Sequence, residues 1–263
     1  MNIHSIVSLL LAVFVFVFGV YSATDDFMAF VDWHAALIVF GGTAAVAAIS
    51  LQMDRIFLML KIFYRRVIRS YKIEYVDVMK ELLMVAEARR KGEPYETIAP
   101  RIKDYFVREG VELLAEGYLE PEKLHEILSI RSMTIYNRYA EDARRFKSLG
   151  KFPPAMGLMG AVLGMVALLK EIGKPGAEST VGPAMAVALV ATLYGIAFAN
   201  LIILPVADHL EDGAKELLIK NRLVVEGLKL IAESRNRVIM VEELNSYLLP
   251  AERIDWKSIN KAA

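Results

Sequence analysis

No cysteine occurs among the 263 residues, which removes disulfides, thiolate nucleophiles and cysteine-ligated metals from consideration. Histidine is scarce, and His4, His34, His125 and His209 never stand at ligand spacing, so no metal site is expected. An excess of either charge is also missing, because 31 basic side chains meet 31 acidic ones. A net charge of zero gives no reason to expect a nucleic-acid partner. Nothing in the sequence suggests an enzyme, and no cofactor is expected.

The most informative absence is local. Windows 1–24, 33–53, 152–169 and 179–207 contain no Asp, Glu, Lys or Arg. A bilayer core of about 30 Å takes roughly 20 residues of apolar helix, whereas a buried helix of a soluble protein rarely exceeds about 14 wholly apolar residues. Windows of 24, 21, 18 and 29 residues therefore read as four spans, the third short by itself. Lipid leaves backbone groups no partner but each other, so the spans are expected to be helices. The first window lacks the basic n-region of a cleaved signal peptide and its apolar run continues through Val20, so it reads as a retained helix.

Flanking charges set an orientation. Arg55, Lys61, Arg65, Arg66, Arg69 and Lys72 follow the second window, and Arg144, Arg145, Lys147 and Lys151 precede the third. Asp25, Asp26 and Asp32 separate the first two, and no basic excess separates the last two. Segments 54–151 and 208–263, with both termini, are thus expected in the cytoplasm. The expected fold is an all-α membrane protein. Residues 1–53 hold spans one and two, 54–151 form a helical cytoplasmic domain, 152–207 hold spans three and four, and 208–263 form a helical tail. Within the cytoplasmic part, the spacing of Val78, Leu82, Leu83, Val85 and Ala86 predicts a helix over 75–90 that stops at Lys91-Gly92. Another is predicted from Pro121, a favoured first helical residue, with no strong breaker before Gly150.

No carboxylate lies inside a window, although an intramembrane carboxylate is the usual mark of an ion path. The polar residues of spans three and four are Thr192, Tyr194 and Asn200, with Ser179 and Thr180 where the last window begins. A threonine in a span ordinarily bonds back to the carbonyl four residues earlier, and an asparagine ordinarily joins helices. Gly157, Gly160, Ala161 and Gly164 form small-xxx-small patterns that let a helix approach closely. If ions pass here, a partner helix must bring the titratable group.

The run Pro153-Pro154-Ala155-Met156-Gly157-Leu158-Met159-Gly160-Ala161-Val162-Leu163-Gly164 resembles the third span of flagellar stator A subunits, the MotA and PomA family. The run from Gly182-Pro183-Ala184 through Ala191-Thr192-Leu193-Tyr194-Gly195, then Ala199-Asn200 and Leu204-Pro205, resembles their fourth span, and Gly41-Gly42-Thr43 their second. The resemblance implies a ring-forming subunit of an ion-driven stator in the bacterial inner membrane, turning ion flow into torque. It implies a pentamer around two single-span B subunits that carry the ion-binding aspartate. Thr192 matches the family's threonine facing the ion path. Ala161 stands where sodium-type members have a second threonine, which favours protons over sodium. Pro154 and Pro205 match two coupling prolines. Arg89 matches the arginine that engages the rotor protein FliG, and Arg90 and Lys91 extend its patch. With Arg89 aligned, the family's partner glutamate falls on Thr97, and Glu96 stands one residue before it. The alternative is an energiser of outer-membrane processes of the ExbB and TolQ kind, which has three spans and lacks the Gly41-Gly42-Thr43 helix.

Overall fold

The structure is a computed structural model that describes residues 7, 11, 14–19, 21–22, 27–50, 57, 61, 75–172, 174, 178–250 and 253–254. Every regular element among them is helical. The numbered α-helices are α1 (Trp33–Ala36), α2 (Gly42–Ser50), α3 (Tyr75–Arg90), α4 (Tyr95–Ile98), α5 (Tyr105–Ala115), α6 (Pro121–Ser148), α7 (Phe152–Glu171), α8 (Glu178–Phe198), α9 (Leu204–Ala232) and α10 (Arg237–Asn245). Single π-helical stretches, Leu37–Gly41 and Ala199–Ile203, join α1 to α2 and α8 to α9. Among the described residues, three helical stretches are long and apolar enough to cross a membrane, namely Phe27–Ser50, Pro121–Lys170 and Val181–Ala232. The first charge-free window lies largely outside the described residues.

The chain divides into two compact units, one of residues 1–72 and 140–212, the other of 73–139 and 213–263. In the first, α7 and α8 form the principal pair, with α1 and the following π stretch against them. Leu158, Val162, Val166 and Leu169 of α7 remain exposed, at 63%, 55%, 58% and 65%. A helix apolar all round suits lipid and protein neighbours rather than water.

The second unit has a conventional core. Met79, Leu82 and Val85 of α3 meet Phe106 and Val107 of α5, Leu124 and Leu128 of α6, Leu228 of α9 and Leu244 of α10. Each fully buried side chain of this size contributes about 1.5–3 kcal/mol. A Cβ on Gly110 would lie 2.1 Å from Leu228 Cδ1, so a larger residue there would make the Leu228 side chain shift. Asp104 caps α5, accepting from the Phe106 and Val107 amides at 2.9 and 3.1 Å. The same carboxylate takes Lys220 Nζ at 2.6 Å, with both side chains about nine-tenths buried. Cap and ion pair thus anchor the start of α5 to α9.

Candidate functional site

Three glycines let α7 and α8 approach closely. A Cβ on Gly157 would lie 2.7 Å from the Ala191 carbonyl oxygen and 3.1 Å from Thr192 Cα. One on Gly160 would meet Ala191 Cβ at 2.7 Å, and one on Gly164 would meet Ala188 Cβ at 2.9 Å. The small-residue face of α7 is therefore occupied by α8 of the same chain. Closer to the start of α7, a Cβ on Gly195 would meet the Pro153 carbonyl oxygen at 2.4 Å and Pro154 Cα at 3.1 Å. Pro154 thus packs on α8, while Pro205 follows the π stretch that links α8 to α9. A proline withholds an amide from the helical ladder, and a π stretch is a common way to accommodate such irregularity.

Thr192 is half-buried, and its hydroxyl donates to the Ala188 carbonyl at 3.2 Å. That bond fixes the proton inward and leaves oxygen lone pairs for an acceptor or ligand role. Ala161, also half-buried, follows the Gly160 that seats against Ala191. Asn200 is exposed and bonds back to the Ile196 carbonyl at 2.9 Å. Thr43 is buried, with a hydroxyl that meets no hydrogen-bond partner among the described residues, beside a Gly42 whose Cβ would lie 2.7 Å from Met156 Sδ.

Sequence reasoning noted Tyr194 without giving it a role. Its hydroxyl donates to the Phe30 carbonyl at 2.5 Å and accepts from the Asp32 amide at 3.3 Å. Asp32 in turn caps α1, its carboxylate accepting from the Ala35 amide at 2.7 Å. The Tyr194 ring stacks on Phe40 at 6.0 Å. One side chain therefore pins the start of the Phe27–Ser50 stretch to α8, two residues beyond Thr192. The only prior signal was a polar aromatic in an apolar window.

In the second unit, Arg89 and Arg90 end α3 and are exposed. The Arg89 guanidinium lies 4.8 Å over the Tyr95 ring, while burial pushes the Tyr95 phenol up despite that positive neighbour. Lys91 pairs with Glu87 at 3.5 Å, a surface pair worth about 0.3–0.5 kcal/mol. Glu96 is exposed on α4 and makes no ion pair among the described residues. No group of acidic or histidine side chains among the described residues could hold a metal ion.

The profile of the MotA/TolQ/ExbB proton channel family matches residues 98–222. Chemotaxis protein PomA of Vibrio alginolyticus is 30% identical over 224 residues, covering 85% of this chain and 87% of that protein. Motility protein A of Borreliella burgdorferi is 31% identical over 201 residues, covering 76% and 74%. The structure of C. jejuni MotAB superposes with a TM-score of 0.86 over 97% of this chain and 100% of its own, at 23% identity, a likeness of fold. These sequence matches show that the chain belongs to the MotA/TolQ/ExbB proton channel family, among its MotA and PomA stator subunits.

Proposed function

We propose that this chain is the ring-forming A subunit of a proton-driven flagellar stator that turns ion flow into torque on the rotor. The observation that carries this reading is a tightly packed α7–α8 wall bearing Thr192, built from windows without a carboxylate. Its titratable group comes from a single-span B subunit with an aspartate. Five copies surround two such helices in the bacterial inner membrane, with four spans each and both termini cytoplasmic. Thr192 oxygen and the Ala161 position line the ion path, and alanine at 161 supplies no ligand for a dehydrated sodium ion. Pro154 and Pro205 couple the path to the cytoplasmic part. There Arg89, Arg90, Lys91 and Glu96 face the rotor protein FliG, and no catalytic chemistry is involved.

A proton crossing 100 mV releases about 2.3 kcal/mol, so a mechanical cycle uses several. The two halves of the reading are tested separately. Reconstituted with an aspartate-bearing B subunit the chain conducts protons, and reconstituted alone it does not. Brisk conduction by the chain alone would refute the path. Arg89→Glu is expected to weaken torque, with recovery on opposite reversal of an acidic rotor residue; normal torque in the single variant would retire the rotor contact.

A further inference from the structure

The cationic end of α3 does not stand alone. Arg90 Nη2 donates to the Arg235 carbonyl at 3.0 Å, across 145 residues of sequence. Arg89, Arg90 and Arg235 wall one cleft of about 350 Å³. Its floor includes Ile231 and Met240, 5% and 1% exposed, and no carboxylate among the described residues lines it.

Two further lining residues, Gly92 at φ 87° and Ser234 at φ 56°, are held in the left-handed region. Each ends a helix in a Schellman motif. Gly92 and Glu93 amides return to the Arg89 and Ala88 carbonyls at 3.0 and 3.1 Å, and Ser234 and Arg235 amides to Ile231 and Leu230 at 3.0 Å each. Ser234 is the one non-glycine residue at positive φ among the described residues, a strain that glycine would relieve. Helix C-termini favour arginines, which accounts for each arginine singly. It does not account for three of them around one apolar-floored cleft. Arg90 uses one of its five N–H donors on Arg235, and Arg235 Nε meets Glu233 at 2.8 Å, so donors remain on both.

We propose that this cleft seats an acidic segment of the rotor-side protein, one carboxylate gripped between Arg90 and Arg235 while an adjoining apolar side chain covers Ile231 and Met240. The proposal rests on the stator reading and deepens it, making Arg235 a specificity residue for the rotor contact. Guanidinium forks hold a carboxylate in a fixed plane, as an ammonium does not, so lysine is a poor substitute at 235.

The test measures motor torque in cells, at equal abundance of the stator complex, for Arg89→Glu, Arg235→Glu, Arg235→Gln and Arg235→Lys. In parallel, the purified complex is titrated with a synthetic peptide bearing one aspartate between leucines and with its asparagine counterpart. Expected are torque losses in the Glu, Gln and Lys variants at 235, and a roughly two- to fivefold preference for the aspartate peptide that Arg235→Glu removes. Normal torque and an intact preference in the Arg235 variants, beside a defect in Arg89→Glu, would overturn the cleft and leave the stator reading in place. Normal torque in both Arg89→Glu and Arg235→Glu would remove the rotor surface and the cleft together. ATP or inorganic phosphate that binds the complex and resists displacement by the aspartate peptide would assign the cleft to a small anion and overturn the proposal. Arg235 is 55% exposed, and the Gln variant decides the matter should the Glu variant misfold.

Discussion

Thr192 uses its proton inside its own helix, bonding to Ala188, which leaves its oxygen lone pairs to accept or ligate. Valine keeps the shape and removes that oxygen. If the oxygen contacts the passing ion, Thr192→Val loses one bond of about 0.5–1.5 kcal/mol and slows ion flux about two- to tenfold, with assembly intact. Flux through reconstituted complexes checks this, and unchanged flux would take Thr192 out of the path. Tyr247 offers a residue-scale test outside the spans. Burial first, then the nearby Glu226 carboxylate, raises its phenol above the ordinary 10.0. The folded state thus holds this proton more tightly than the unfolded chain. The associated stability is present below pH 10.0 and lost as pH climbs through the raised value. Ultraviolet titration of phenolate is expected to show a late-titrating tyrosine that Tyr247→Phe deletes. The bond of Thr192 to the carbonyl four residues earlier was legible in the sequence. The contacts of Tyr194 with Phe30 and Asp32, and of Arg90 with Arg235, were not, because those partners lie 162–164 and 145 residues away.

At the scale of elements, the glycines of α7 settle which surfaces meet. The small-xxx-small pattern lets a helix approach closely, and in the structure the helix that Gly157, Gly160 and Gly164 receive is α8. What α7 leaves outward is Leu158, Val162, Val166 and Leu169. A methyl added at Gly157 meets backbone, which cannot rotate away, so Gly157→Ala is expected to separate the helices at a cost of about 1–3 kcal/mol. Lower thermal stability of the purified complex, with reduced ion flux, would register this; wild-type behaviour in both would show that the crossing is loose. Two of the helices were readable here because each carries its own signal: the 75–90 pattern stops at Lys91-Gly92 and a later helix begins at Pro121, as in the structure. The π stretches were not, since a one-residue widening leaves no periodic trace in a uniformly apolar window.

At the scale of the whole molecule, ion choice is the open consequence of Ala161. A motor driven by protons through this subunit is expected to turn at a speed indifferent to external sodium and to stop with a protonophore. Speed that follows sodium and survives the protonophore would reverse the assignment. Membrane character was decided by sequence alone, because 62 charges avoiding four long windows is a statement about solvent that no fold can alter. Tertiary structure alone decided which parts of the chain cooperate. It joined 73–139 to 213–263 in one unit, tied Tyr194 to the Phe30–Asp32 backbone and brought Arg235 to Arg90. Hydropathy is summed residue by residue along the chain, whereas contacts between distant segments depend on how separate helices pack, and no local pattern encodes that.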